Sequence, residues 1–292
     1  MRAKRRFATA PVVLAACLAT GCTGSSPADE CVFPKTPTLN PAGVFADTLI
    51  RGRPPESIYA GNTWAALRDA DALGYRWIEV DVRISADGVF VPARHDSLDK
   101  FTDCAGSLAA FTVSDLAACN NDRDGAANPV RPLADGLVDT SFEGVYLDLK
   151  STSSAPVSTP DQIVAAVATL ASEIADPTIL VGMSYDEAAA AALLAAGYRA
   201  GLKGYPADTS GALALIDATA ALGGEMVCVH LSLYDAATFQ HAAEVGVWNL
   251  PWAEGTEINA DSMALLIAGQ AGGLISGFPH EVESLYSMSC QD

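Results

Sequence analysis

Beyond residue 43, short apolar runs alternate with Ala- and Leu-rich stretches of helical period. The runs Val44 to Ile50, Arg76 to Val82, Gly144 to Leu149, Thr178 to Gly182, Arg199 to Lys203, Glu225 to Leu231, Val245 to Leu250 and Gly273 to Ile275 read as strands. Asn62 to Leu73, Asp161 to Ile174, Tyr185 to Ala196, Thr209 to Leu222, Tyr234 to Glu244 and Asn259 to Ala268 read as helices. Eight strands in repeated β-then-α order predict an α/β protein, a (β/α)8 or TIM barrel. The second unit is interrupted. A hairpin-like Ser85-Ala86-Asp87-Gly88-Val89-Phe90-Val91 leads into a polar, turn-rich stretch from His95 to Asp139, so an insertion after the second strand spans about 83–140. It falls on the C-terminal face, where such barrels carry their chemistry.

The strand ends supply candidates for that chemistry. Glu79 and Asp81 stand two residues apart in Trp77-Ile78-Glu79-Val80-Asp81-Val82, so the period of a strand puts both carboxylates on one face. Asp148 and Lys150 repeat the spacing at the end of the third strand. Three converging carboxylates make a hard-oxygen site suited to Mg²⁺ or Ca²⁺, with Lys150 free to hold an anionic oxygen. A salt bridge from Glu79 to Lys150 inside the barrel, with no metal, is the plainer alternative. His230, near the end of the sixth strand, could also look into the mouth, and Tyr59, Tyr205, Trp248 and Trp252 could line a cleft. His241 and His280 read as surface groups.

Charge narrows the partners. The chain of 292 residues is 50% hydrophobic, enough for a large core, and carries a formal net charge of −18. Such a surface repels phosphate backbones, which excludes nucleic acid as an expected partner, and it disfavours a basic lipid-binding patch. Membrane contact therefore calls for an anchor. Arg2 to Arg6 form a basic cluster before the apolar run Phe7 to Ala19, which is too short to span a bilayer. Leu18-Ala19-Thr20-Gly21-Cys22 resembles a bacterial lipobox, in which cleavage precedes a Cys that then carries lipid. Residues 1–21 thus read as a signal peptide, 22–43 as a lipid-anchored tether and 44–292 as the barrel domain, placing the protein in the cell envelope. The cysteines fit an oxidising compartment. Cys104 and Cys119 flank a loop they could close, Cys31 and Cys290 lie near the domain ends and could pair, and Cys228 in Met226-Val227-Cys228-Val229 reads as a buried free thiol.

Taken in order, Arg51-Gly52, Asn62-Thr63, Glu79-Val80-Asp81-Val82, Asp87-Gly88, His95-Asp96, Thr102 and Leu147-Asp148-Leu149-Lys150 resemble the glycerophosphodiester phosphodiesterase family, whose pattern reads HRG, PENT, IExDV, TxDGxxVxxHD and ExK. Trp248 and the stretch Gly272 to Pro279 are similar to its later strands. The resemblance implies a phosphoric diester hydrolase in which a divalent cation on carboxylates clamps the phosphodiester while two histidines move protons. It would make Glu79, Asp81 and Asp148 metal ligands for Mg²⁺ or Ca²⁺, set Arg51 and Lys150 on the phosphate, and make His95 a general acid or base. The implied ligand is a small phosphodiester or phospholipid-derived head group. The ExD pair with an Asp in a DLK context also resembles the sphingomyelinase D and phospholipase D toxins.

The sequence departs from the family at three places. Ile50 stands where the first histidine precedes Arg-Gly, Gly61 replaces the Glu of PENT, and Ser276-Gly277-Phe278-Pro279 replaces the closing TDxP run. Glu56 could fold back towards the histidine's place, whereas Asp47 should point to the opposite face. Two functional readings follow: an exported, lipid-anchored phosphodiesterase with a modified site, or a catalytically silent relative that binds a phosphodiester or envelope ligand.

Overall fold

The computed structural model describes residues 61–121, 127–253, 257–269, 271 and 273–276, together with the backbone of 43–47. Strand β1 (Gly43–Asp47) pairs in parallel with β2 (Trp77–Ile84) on one side and β10 (Gly273–Ser276) on the other. From β2 the sheet continues in parallel through β4 (Gly144–Leu149), β5 (Leu180–Ser184), β6 (Arg199–Lys203), β7 (Met226–Cys228) and β8 (Trp248–Asn249). Strand β9 (Trp252–Ala253) pairs with β10, and a bridge from His230 to Trp252 joins it to the β7 side, so the sheet closes on itself. The connecting helices are α1 (Trp64–Ala72), α4 (Pro160–Glu173), α5 (Glu187–Ala195), α6 (Thr209–Leu222), α7 (Ala236–Val245) and α8 (Ala260–Ala268). This is the expected (β/α)8 barrel.

The seventh barrel strand lies further along than Val245 to Leu250. Val245 still belongs to α7, and Gly246 ends that helix in the left-handed conformation at φ 76°. The strand then runs as β8 and β9. The N–H groups of Leu250 and Trp252 donate to the carbonyls of Val227 and Val229, and the Pro251 carbonyl accepts from Ile275. Pairing lapses at Pro251, which has no N–H to give. The fourth strand is likewise displaced, from Thr178–Gly182 to Leu180–Ser184, because Pro177 to Ile179 form a 3₁₀ turn capped by Asp176.

Side-chain alternation sorts the sheet into two faces. Ile78, Val80, Val82, Val145, Leu147 and Leu149 turn outward onto helix residues such as Leu67, Ile163 and Val167, all of them essentially buried. Each such side chain contributes about 1.5–3 kcal/mol of transfer free energy. The alternate positions fill the barrel interior, where Trp77, Tyr146, Val181, Met183, Met226 and Cys228 form one cluster. Gly144 is required there, since a Cβ at that position would stand 2.1 Å from the Trp77 ring. Helix α4 begins in a capping box, Thr159 with Gln162, and carries Pro160 in its first turn.

The insertion departs from β2 through the anticipated hairpin. Strand β3 (Phe90–Pro92) pairs antiparallel with β2, and the chain then runs through short 3₁₀ turns, α2 (Val113–Leu116) and α3 (Leu133–Leu137). It has a small core of its own, including Val91, Leu98, Leu108, Leu116 and Val130, and a Cys104–Cys119 disulfide. Cys228 is a buried free thiol, as expected. Cys22, Cys31 and Cys290 lie outside the described residues.

Candidate active site

Positions 77, 79, 81 and 83 of β2 share the inward face, so Glu79 and Asp81 enter the barrel near its C-terminal end. The register sets Asp81 directly beside Asp148 of β4. All three carboxylates are at most 3% exposed, and one oxygen of each lies within 4.8 Å of the others. The three acidic candidates therefore meet at one place.

They meet with two lysines. Lys150 Nζ lies 2.8 Å from Asp81 Oδ1 and 2.7 Å from Asp148 Oδ2. Lys203, the last residue of β6, crosses the barrel to reach Glu79 Oε1 at 2.8 Å and also bonds Asp148 Oδ2. The partner of Glu79 is thus Lys203, whereas the plain alternative read from sequence had been Lys150. Lys203 was not legible as a site residue, although its signal was present: a lone cation at a strand terminus, two residues after a glycine on the same face. Gly201 keeps that face low, since a Cβ there would stand 2.0 Å from the Met226 carbonyl oxygen.

Asn62 was also underestimated. It takes the left-handed conformation at φ 56° just before Thr63, the N-cap of α1. In that pose Asn62 Nδ2 donates to Asp81 Oδ2 at 3.0 Å, and Asn62 Oδ1 accepts from the Asp81 N–H at 3.0 Å. The Asn-Thr pair of the motif therefore fixes one carboxylate. Asp148 is touched in addition by the Tyr185 hydroxyl at 3.4 Å, which also accepts from Lys150 at 3.4 Å. Tyr185 stacks on Tyr205, whose ring meets the edge of Trp252.

Burial and pairing set the protonation states. Burial pushes the Glu79 carboxyl up to about 7, with Lys203 drawing it partly back. Burial would raise Asp148 as well, but Lys203 and then Lys150 outweigh it and hold the group well below the usual carboxylate range. Both ammoniums would be lowered by burial and are instead raised, Lys150 by Asp148 and Asp81, Lys203 by Asp148 and Glu79. Asp148, Lys150 and Lys203 are therefore charged at neutral pH, while burial draws Glu79 toward its protonated form.

Does the donor set suit a divalent ion? Asp148 Oδ1 is buried and has no hydrogen-bond partner among the described residues, which leaves one well-placed ligand atom. With Glu79 and Asp81 beside it, the acidic cluster can hold a hard cation.

The remaining candidates are more scattered. His95 is exposed, makes no hydrogen bond with a described residue, and sits within reach of the Asp81 and Arg83 charges; partial burial and then Arg94 lower its pKa, which keeps the ring neutral at neutral pH. Arg83 ties this region down, donating to the Arg94 carbonyl at 3.1 Å and to Ser154 at 2.6 Å. His230 sits at the rim, bonded to Glu257 at 2.9 Å and Ser232 at 2.7 Å and packed on Trp252. Trp248 does not line the cleft: it starts β8 at the opposite end of the barrel, level with Met226. His241 is tied to Asp217 on the helical surface. Arg51, Ile50, Glu56, Tyr59 and His280 lie outside the described residues.

Comparison with known proteins bears on this geometry. The profile of the glycerophosphoryl diester phosphodiesterase family matches residues 51–281. An Oleispira antarctica phosphodiesterase, solved with the product sn-glycerol-3-phosphate, is 18% identical with a TM-score of 0.67, over 85% of this chain and 97% of its own. A glycerophosphodiester phosphodiesterase from Parabacteroides distasonis is 14% identical with a TM-score of 0.66, over 86% and 99%. One from Thermotoga maritima is 17% identical with a TM-score of 0.61, over 84% and 98%. Comparison with functionally curated proteins finds no match.

Proposed function

Because the chain belongs to the glycerophosphoryl diester phosphodiesterase family, we propose that it hydrolyses glycerophosphodiesters or related phospholipid head groups with the help of Mg²⁺ or Ca²⁺. The observation that carries this reading is the meeting of Glu79, Asp81 and Asp148 beside Lys150 at the C-terminal ends of β2 and β4. In it the three carboxylates hold the ion, which when bound neutralises phosphodiester charge and favours the attacked phosphorus. Lys150 and Arg51 contact phosphate oxygens, and Lys150 is suited to this by an ammonium that stays charged when buried. Asn62 keeps Asp81 oriented. His95, neutral at pH 7, takes a proton during the reaction. The product named for the Oleispira antarctica structure, sn-glycerol-3-phosphate, is consistent with a small phosphate ligand at this mouth.

Export and anchoring belong to the same proposal: residues 1–21 as signal peptide, 22–43 as tether, lipid on Cys22 and the barrel held at the cell envelope. Membrane attachment should then be lost in Cys22→Ala. One observation favours the silent alternative. Ile50 cannot move a proton, and losing one of two acid/base groups commonly costs about 10²- to 10⁴-fold. A single assay separates the readings: release of sn-glycerol 3-phosphate from glycerophosphodiesters by the purified chain with Mg²⁺ or Ca²⁺. Turnover that falls by about 10²-fold or more in His95→Ala supports the enzyme; saturable binding of glycerol phosphate without turnover supports the silent relative.

A further inference from the structure

Lys203 holds the place in the cluster that an ion would need. Its ammonium bridges Glu79 and Asp148, two carboxylates on different strands, and so does what a bridging cation does. A divalent ion sharing those oxygens would sit at about 2.0–2.6 Å from them. It would then be in contact with the ammonium, with no anion between two positive charges. We propose that Lys203 is a built-in cation that occupies the divalent site, so that Mg²⁺ or Ca²⁺ binds this chain only by displacing the Lys203 ammonium from Glu79 and Asp148.

The charge balance points the same way. With Glu79 in its ionised form, three carboxylates against Lys150 and Lys203 leave one net negative charge, which a divalent ion would overturn. Without Lys203 the same carboxylates and Lys150 leave two negative charges, matched to a divalent ion. Lys203 is also committed: it is 6% exposed and stands over the Tyr146 ring at 5.5 Å. Its release removes one cation from Glu79 Oε1 and leaves Asp148 Oδ2 with Lys150 and the Tyr185 hydroxyl, beside the Asp148 Oδ1 atom, which has no hydrogen-bond partner among the described residues. The inference rests on the metal-site reading of these carboxylates, but not on turnover.

The test is calorimetric titration of Mg²⁺ and of Ca²⁺ into the full-length, chelator-treated chain and its Lys203→Met variant, with thermal unfolding alongside. Binding should tighten by about tenfold or more in Lys203→Met, and the gain should vanish when Asp148→Asn is added. The rise in Tm at about 10 mM Mg²⁺ should be smaller in wild type than in the variant. Equal or tighter binding by wild type overturns the proposal. If Lys203→Met does not fold, Lys203→Gln takes its place, and metal binding by that variant no tighter than wild type's overturns the proposal. Hydrolysis of glycerophosphocholine, followed separately in both proteins, keeps the two readings apart, because absent turnover with the affinity change intact removes only the phosphodiesterase.

Discussion

Glu79 links burial to protonation most directly. Its carboxyl stands at about 7 in the folded barrel against an ordinary 4.5, so between those values the native protein keeps a proton that the unfolded chain has released. Stability from this group is complete below about 4.5 and is lost as pH rises through about 7. Wild type should therefore lose ground against Glu79→Gln between about pH 5 and pH 8, as read from urea midpoints. Asp148 runs the other way: its lowered carboxyl stabilises the fold above the ordinary aspartate range, and that contribution drains only in strong acid. Asn62 gives a second prediction. Asn62→Ala removes one hydrogen bond to the buried Asp81 carboxylate and one from the Asp81 N–H, and should cost about 2 kcal/mol in chemical denaturation. Of these residues, the period of a strand announced Glu79, Asp81 and Asp148, because alternation alone decides the face. The Asn62 clasp was hidden because it needs a left-handed turn, and Lys203 because no spacing rule says which side chain from the far wall is long enough to cross.

The same division holds for elements. Long amphipathic helices and apolar strands were legible within a residue or two. The errors fell where one residue redirects the backbone: Gly246 ending α7, Pro177 starting a 3₁₀ turn, Pro251 parting β8 from β9. The short helices of the insertion escaped notice because they are too short for a sustained period: Leu116 of α2 packs on the local core, whereas Leu133 and Leu137 of α3 join the barrel's outer core. The local core is the insertion's own. That core is stapled by Cys104–Cys119 across a separation of 15 residues, so the double Ser variant should lose about 3 kcal/mol of local stability. Limited proteolysis should then cut within the insertion first while the barrel stays intact. After β4, Thr159→Ala removes the capping box of α4 and should cost about 1 kcal/mol in thermal or urea unfolding.

Across the whole molecule, the chain spends its inward strand positions on two unlike tasks. Trp77, Tyr146, Met183 and Met226 pack as an apolar cluster, while Glu79, Asp81, Asp148, Lys150 and Lys203 bond to one another beside it. Within the apolar cluster Cys228 is fully buried, in register with Lys203 and pushed by burial up to about 12. A thiol so enclosed and so reluctant to ionise is inert to alkylating reagents while the staves stay together. It can therefore serve as an internal stopwatch for breathing of the cylinder: peptide-resolved labelling at Cys228 should be slow in native buffer and accelerate steeply with denaturant. Fast capture without denaturant would instead reveal that the wall around β7 gapes locally, giving small solutes a second way in from the side.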